Sequence, residues 1–102
     1  MIRRFEWDQA KNLANQRKHG LSFEEAVQVF QDPLVSTTQD RIENGEYRWQ
    51  ALGFVRGALV LVAYTIWDEE DEDAKETTEV IRPISARPAS PKERRRHEQE
   101  HR

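Results

Sequence analysis

Residues 58–64, A-L-V-L-V-A-Y, constrain the fold of this chain more than any other stretch. Neighbours of both parities are apolar, so an extended strand here carries apolar side chains on both of its faces. Such a strand belongs in the middle of a sheet, covered on each side. Its partner is close at hand. Residues 47–55 are also rich in apolar and aromatic side chains, and Arg56-Gly57 between the two runs reads as a tight turn. The pair predicts a hairpin over 47–55 and 58–67. Residues 76–85 read as a further strand and 34–38 as a short one. Phe5-Glu6-Trp7, aromatic–polar–aromatic, reads as another.

Helices frame these strands. Asp8 is placed to cap a helix over about 9–18 with Ala10, Leu13, Ala14 and Arg17 on one face. Arg17 and Lys18 suit the negative end of that helix, and Gly20 is the left-handed residue that ends it. Ser22-Phe23-Glu24-Glu25 is a capping box opening a second helix, whose face is Phe23, Ala26, Val27 and Phe30 and which Asp32-Pro33 stops. Residues 39–45 read as a polar loop. Ser90-Pro91-Lys92-Glu93 is a second capping box, with proline at the first helical position. The helix it announces, about 91–101, has no apolar stripe and needs tertiary or partner contacts to persist. The expected order is β-α-α-β-β-β-β-α. This is an α+β fold: an antiparallel sheet of about four strands, two N-terminal helices and a C-terminal helix, with the helices against one face. With 102 residues, the chain (1–102) is one domain with one modest core.

Charge is unevenly spread. The net value is −3, but residues 68–76, D-E-E-D-E-D-A-K-E, hold seven acids and one lysine. Without them the chain has 15 basic and 12 acidic residues, and residues 87–102 carry six Lys/Arg against three Glu. An acidic loop expected to be flexible over 68–76 thus masks a mildly basic body, compatible with phosphate binding. There is no cysteine, which excludes disulfides and thiolate metal sites. His97 and His101 stand four apart, but in a charged helix or tail over 91–102, and read as solvated; with His19 they form no zinc signature. No metal and no cofactor is expected. No stretch is apolar enough to cross a membrane, so a soluble cytoplasmic protein is expected.

Five blocks stand in order along the chain: F-E-W-D-x-x-K from Phe5, N-x-x-K-H-G-L-S-F-E-E-A from Asn15, V-F-x-D-P from Val29, R-x-x-x-L-G from Arg48, and I-R-x-I-S-A-R from Ile81 with E-R-R from Glu93. In these blocks the chain resembles the BrnT toxins of bacterial type II toxin–antitoxin systems. The resemblance implies a RelE-like fold and an endoribonuclease that cuts cellular RNA and arrests growth. It implies a ribbon-helix-helix antitoxin as partner, operator DNA reached only through the antitoxin complex, and a homodimer or a heterotetramer with the antitoxin as assembly. Two positions depart from the family pattern. Tyr64-Thr65-Ile66-Trp67 lacks the arginine of the usual Tyr-Thr-Glu-Arg, and Pro83 replaces an apolar residue. A non-catalytic module that keeps the fold and serves only as antitoxin partner or co-repressor is the alternative; a nucleic-acid-binding α+β domain unrelated to toxins is a third.

RNA cleavage without a metal drives the 2′-hydroxyl onto the adjacent phosphate. It requires a base, an acid and fixed positive charge around the phosphorane. His19 is the histidine outside the tail, with an ordinary pKa near neutrality; its other reading is a helix-end histidine bonded to a carbonyl. Arg82 and Arg87 are the charge candidates, since a guanidinium donates two parallel bonds to phosphate oxygens. Their separation of five would aim them at opposite faces of an ideal strand, so both serve one site only if Pro83 marks a bulge or Arg87 lies beyond the strand. Lys18, Arg48, Ser85, Arg94 and Arg95 are candidates for binding the RNA backbone, against the plainer readings of surface ion pairs and a solvated face. Trp7, Trp49 and Trp67 are core residues or base-stacking platforms.

Overall fold

The helix starts are set by side chains in the positions the sequence requires. In the computed structural model, which describes residues 1–102, Asp8 accepts from the Ala10 and Lys11 amides and opens α1 (Gln9–His19), which Gly20 closes at φ 73°. Ser22 and Glu25 form the reciprocal capping box of α2 (Phe23–Ala26), which tightens into a 3-10 helix over Val27–Gln31. Ser90 and Glu93 do the same for α3 (Pro91–Glu100).

The strands are β1 (Ile2–Phe5), β2 (Ser36–Glu43), β3 (Glu46–Val55), β4 (Ala58–Asp71) and β5 (Glu76–Pro88). They form one sheet in the order β1-β5-β4-β3-β2. β4 is central, as its two-sided apolar run requires. On one face Val60, Val62 and Tyr64 join Phe23, Ala26, Val29, Ala51, Ile81 and Ala86 in the main core. On the other, Leu59 and Leu61 pack with Leu52.

Four expectations are corrected. The sheet has five strands and is mixed, because β1 lies parallel beside β5, with Phe5 opposite Ile81. Residues 39–45 are not a loop. β2 runs through them and turns into β3 at Asn44-Gly45, both at positive φ, which is the chemistry of a two-residue hairpin turn. The acidic loop is mostly ladder: β4 continues to Asp71, β5 begins at Glu76, and residues 72–75 alone form the turn. β4 has no neighbour on its outer edge beyond Thr65, and residues 68–76 are all exposed, so the charges stay hydrated while the backbone pairs. Lastly, α1 buries asparagines rather than an apolar stripe. Asn12 and Asn15 are buried, and Leu13 is 45% exposed. Both amides replace missing backbone partners: Asn12 Oδ1 accepts from the Phe23 amide at 2.7 Å. Asn15 exchanges two bonds with Ala86, accepting from its N–H at 3.0 Å and donating to its carbonyl at 2.9 Å. β1 ends opposite Ile81, so the Asn15 side chain serves the free edge of β5 where a strand would otherwise pair.

α3 also departs from expectation. It lies on the face opposite the main core, where Arg87 grips Glu93 and the His97 ring meets Phe54 edge-on at 5.5 Å. Phe54 shares its face with Leu52, two residues earlier in β3. Helices therefore cover both faces, and α3, expected to bury nothing, buries His97 to 3% exposure.

Candidate functional site

The conserved geometry of a strand would split Arg82 from Arg87. A bulge reunites them. Tyr64 of β4 pairs with Pro83, but Ala63 pairs with Ser85, so Ile84 is an extra residue in β5. Past it the alternation shifts by one. Arg82 lies opposite Thr65, Ser85 opposite Ala63 and Arg87 opposite Leu61. Directly opposed residues share a face, so all three β5 residues point away from the main core. Arg48 of β3 also lies opposite Thr65. Arg48, Thr65 and Arg82 thus form one row across three strands.

Each cation has its own surroundings. The Arg82 guanidinium sits over the Trp67 ring, 4.7 Å from its centroid, with a Glu6 carboxylate oxygen at 4.0 Å. Trp67 ends the run Tyr64-Thr65-Ile66-Trp67, which carries no cation of its own, and Arg82 lays one over its ring. Arg48 is 23% exposed, with its Nε 3.2 Å from Glu43. That nitrogen is buried and the pair lacks hydrogen-bond geometry, so the contact is charge attraction alone. Thr65 Oγ1, between the two arginines, is buried and has no hydrogen-bond partner. Arg87 places both arms of its fork on Glu93, each at 2.8 Å. This bond holds the Glu93 carboxyl down to about 2 despite its partial burial, aided by the Ser90 amide, and raises Arg87 in turn.

The end of α1 meets β5 beside the bulge. Lys18 and His19 line a shallow depression with Lys11, Ala14, Asn15, Ile84 and Ser85. The Asn15–Ala86 bonds fix this approach. Arg82 lines a separate depression with Tyr47, Thr65, Ile66 and Trp67. Arg95 lines a groove along α3 with Lys92, Glu93 and Arg96, while Arg94 is exposed outside all three. No single concavity therefore holds His19, Arg82 and Arg87. What joins them is the outward edge of β5 over residues 82–87. Lys11, Thr65 and Glu93 belong to this surface and were not singled out from sequence; Thr65 shows itself only through register, and Glu93 reads as a cap alone. A further recess, where Phe30, Trp49, Tyr64, Ile66 and Ile81 meet Arg3, Thr37 and Glu79, is on the main-core face.

The reading of His97 and His101 as a solvated pair is corrected. His97 is buried against Phe54, its ring 4.4 Å from that of His101, because α3 folds back on the sheet. Burial first, then His101, holds the His97 imidazole below its ordinary pKa, with Asp32 acting in the opposite direction. His97, Glu100 and His101 are the residues of this chain able to gather around a metal ion. No helix is long and apolar enough to cross a membrane.

No curated protein matches the sequence significantly. The family of the ribonuclease toxin BrnT, of type II toxin–antitoxin systems, matches residues 7–93. That span takes in every element from α1 through β5, the bulge and its three outward residues, and the first turn of α3. The chain belongs to the BrnT family of ribonuclease toxins of type II toxin–antitoxin systems.

Proposed function

We propose that residues 1–102 act as one RelE-like unit that cleaves cellular RNA without a catalytic metal, by attack of the 2′-hydroxyl on the adjacent phosphate. The carrying observation is the bulge at Ile84, which turns Arg82, Ser85 and Arg87 to one face with Arg48 in register beside Arg82. In this reading Arg82 and Arg48 hold the phosphate, with Trp67 as a platform for a neighbouring base. His19 takes the 2′-hydroxyl proton as the 2′-oxygen bonds to phosphorus and returns it to the 5′-oxygen as the P–O5′ bond breaks, and Lys18 and Ser85 position the backbone beside it. Arg87 stabilises the phosphorane when phosphate competes with Glu93 for its fork. Arg94 and Arg95 extend the contact along the RNA by salt-dependent attraction. The protein works in the cytoplasm and is neutralised by a ribbon-helix-helix antitoxin. It reaches operator DNA only through that complex, as a heterotetramer or with a homodimeric toxin.

The test is to induce the wild type, Arg82→Ala and Arg87→Ala in bacteria lacking the antitoxin, and to map RNA ends. Growth arrest by the wild type alone, with 2′,3′-cyclic phosphate termini, is the expected result. Normal growth at good soluble expression of the wild type overturns the nuclease reading.

A second reading has its own support. Arg87 is fully engaged by Glu93, and Trp67 stands where the family's arginine does. Both fit a module that binds the antitoxin and no longer cleaves. Tight antitoxin binding by a wild type that leaves growth and RNA intact identifies this case.

A further inference from the structure

We propose that His97, Glu100 and His101 bind one divalent transition-metal ion of the zinc type at the C-terminal end of α3. The three residues stand at i, i+3 and i+4, so they share one side of the helix. A ligand atom from each lies within 4.8 Å of the other two. His97 supplies the second observation. It is 3% exposed, and both ring nitrogens are buried without a hydrogen-bond partner. A buried donor or acceptor left unmet costs about 1–3 kcal/mol. An imidazole is rarely left in that state unless something else engages it.

The surroundings fit a ligand set. Ser36 Oγ, at the start of β2, donates to Glu100 Oε2 at 2.7 Å and lies 3.3 Å from His101 Nε2. It thus orients two of the three ligands, as outer-shell partners of metal sites do. Two imidazoles and one carboxylate select zinc-like ions over magnesium or calcium, which prefer oxygen alone. Tetrahedral coordination with bonds near 2.0–2.1 Å puts ligand atoms about 3.4 Å apart. Glu100 and His101 are both exposed, so side-chain rotation is free to close the present spacing. A fourth position remains for water. The site lies at the opposite end of α3 from the Arg87–Glu93 pair that fastens the start of the helix to β5. The ion is structural and separate from the surface on β5, so its test does not depend on cleavage.

The experiment is calorimetric titration of the full, untagged chain with ZnCl2, with Co2+ absorption as a second measurement. The expected result is one equivalent of Zn2+ bound and intense visible bands of low-coordinate Co2+. His101→Asn and Glu100→Gln alter exposed positions and test the ligands without disturbing the core. Removing a mere outer-shell partner lowers affinity by about 10–100-fold, so loss of either ligand is expected to lower it by at least tenfold, and Ser36→Ala by about tenfold. Glu98→Gln, off this side of the helix, is expected to bind like the wild type. Absence of Zn2+ binding by the wild type, or equal binding by the wild type, His101→Asn and Glu100→Gln, overturns the proposal.

Discussion

Asn15 is the residue on which the relation between α1 and β5 turns. Its amide serves Ala86 twice and donates to the Leu21 carbonyl at 2.9 Å. Replacing it by leucine keeps the size and removes all three bonds. The N–H and C=O of Ala86 then remain buried with no partner on that edge. Each unmet backbone group costs about 1–3 kcal/mol, and the added apolar surface returns roughly 1 kcal/mol, so Asn15→Leu is expected to destabilise the fold by about 3 kcal/mol. That is a large share of the roughly 5–15 kcal/mol that holds a domain together. In urea, with a slope near 1.5 kcal/mol/M, the midpoint falls by about 2 M. Asn15→Asp gives an internal check. An ionised carboxylate cannot donate to the Ala86 or Leu21 carbonyls, whereas the protonated acid regains one donor. The aspartate variant is therefore expected to be closer to wild type at pH 5 than at pH 8. An Asn15→Leu midpoint within about 0.3 M of wild type refutes the view that this side chain substitutes for a strand.

Three further outcomes are expected. The Glu93 carboxyl lies at about 2 when folded, against an ordinary 4.5. Its contribution is present above pH 4.5 and is lost as pH falls toward 2. Because Arg87 is 40% exposed, screening reduces it to about 1–2 kcal/mol, and acid titration followed by circular dichroism should show the loss in wild type and not in Glu93→Gln. Gly53→Ala brings a Cβ to 3.3 Å from Asp32 Oδ2, Val29 Cβ and the Val29 carbonyl, and Asp32 Oδ2 is already held at 2.7 Å by the Phe54 amide. Thermal melting should report a loss of about 1–3 kcal/mol. Gly20→Ala forces a side chain into φ 73° and should lower stability by about 1 kcal/mol in the same assay.

Local signals were legible where one residue type serves one geometry. The caps at Asp8, Ser22 and Ser90, the stop at Gly20 and the Arg56-Gly57 turn all appear where short-range chemistry puts them. The central place of β4 followed from its doubly apolar run. What escaped depends on partners distant in sequence. Asn12 and Asn15 look like surface residues until Phe23 and Ala86 arrive to bond them. Asp68–Asp71 look too charged to pack, yet a ribbon open to water needs only its backbone paired. The pairing even sets Asp68 against Glu79 and Asp71 against Glu76, contacts that weaken a ladder; Arg3 relieves the first through Glu79 at 2.9 Å. The bulge was foreseen as a condition for Arg82 and Arg87 to share a side, but its place depends on which β4 residue faces Pro83. His97 carried no apolar signal at all; its burial follows from where α3 turns, at Arg87.

The sheet order has a consequence for when this protein becomes able to act. β1 and α1 are made first, yet the edge they dock on is β5, the last strand made. A nascent chain on a translating ribosome can assemble the β2–β3–β4 meander early, while Lys18 and His19 wait for Ser85 to emerge. The two halves of the basic surface therefore meet only near the end of synthesis. Order of synthesis and order of assembly thus run opposite ways along this chain, and its first helix finds its seat last.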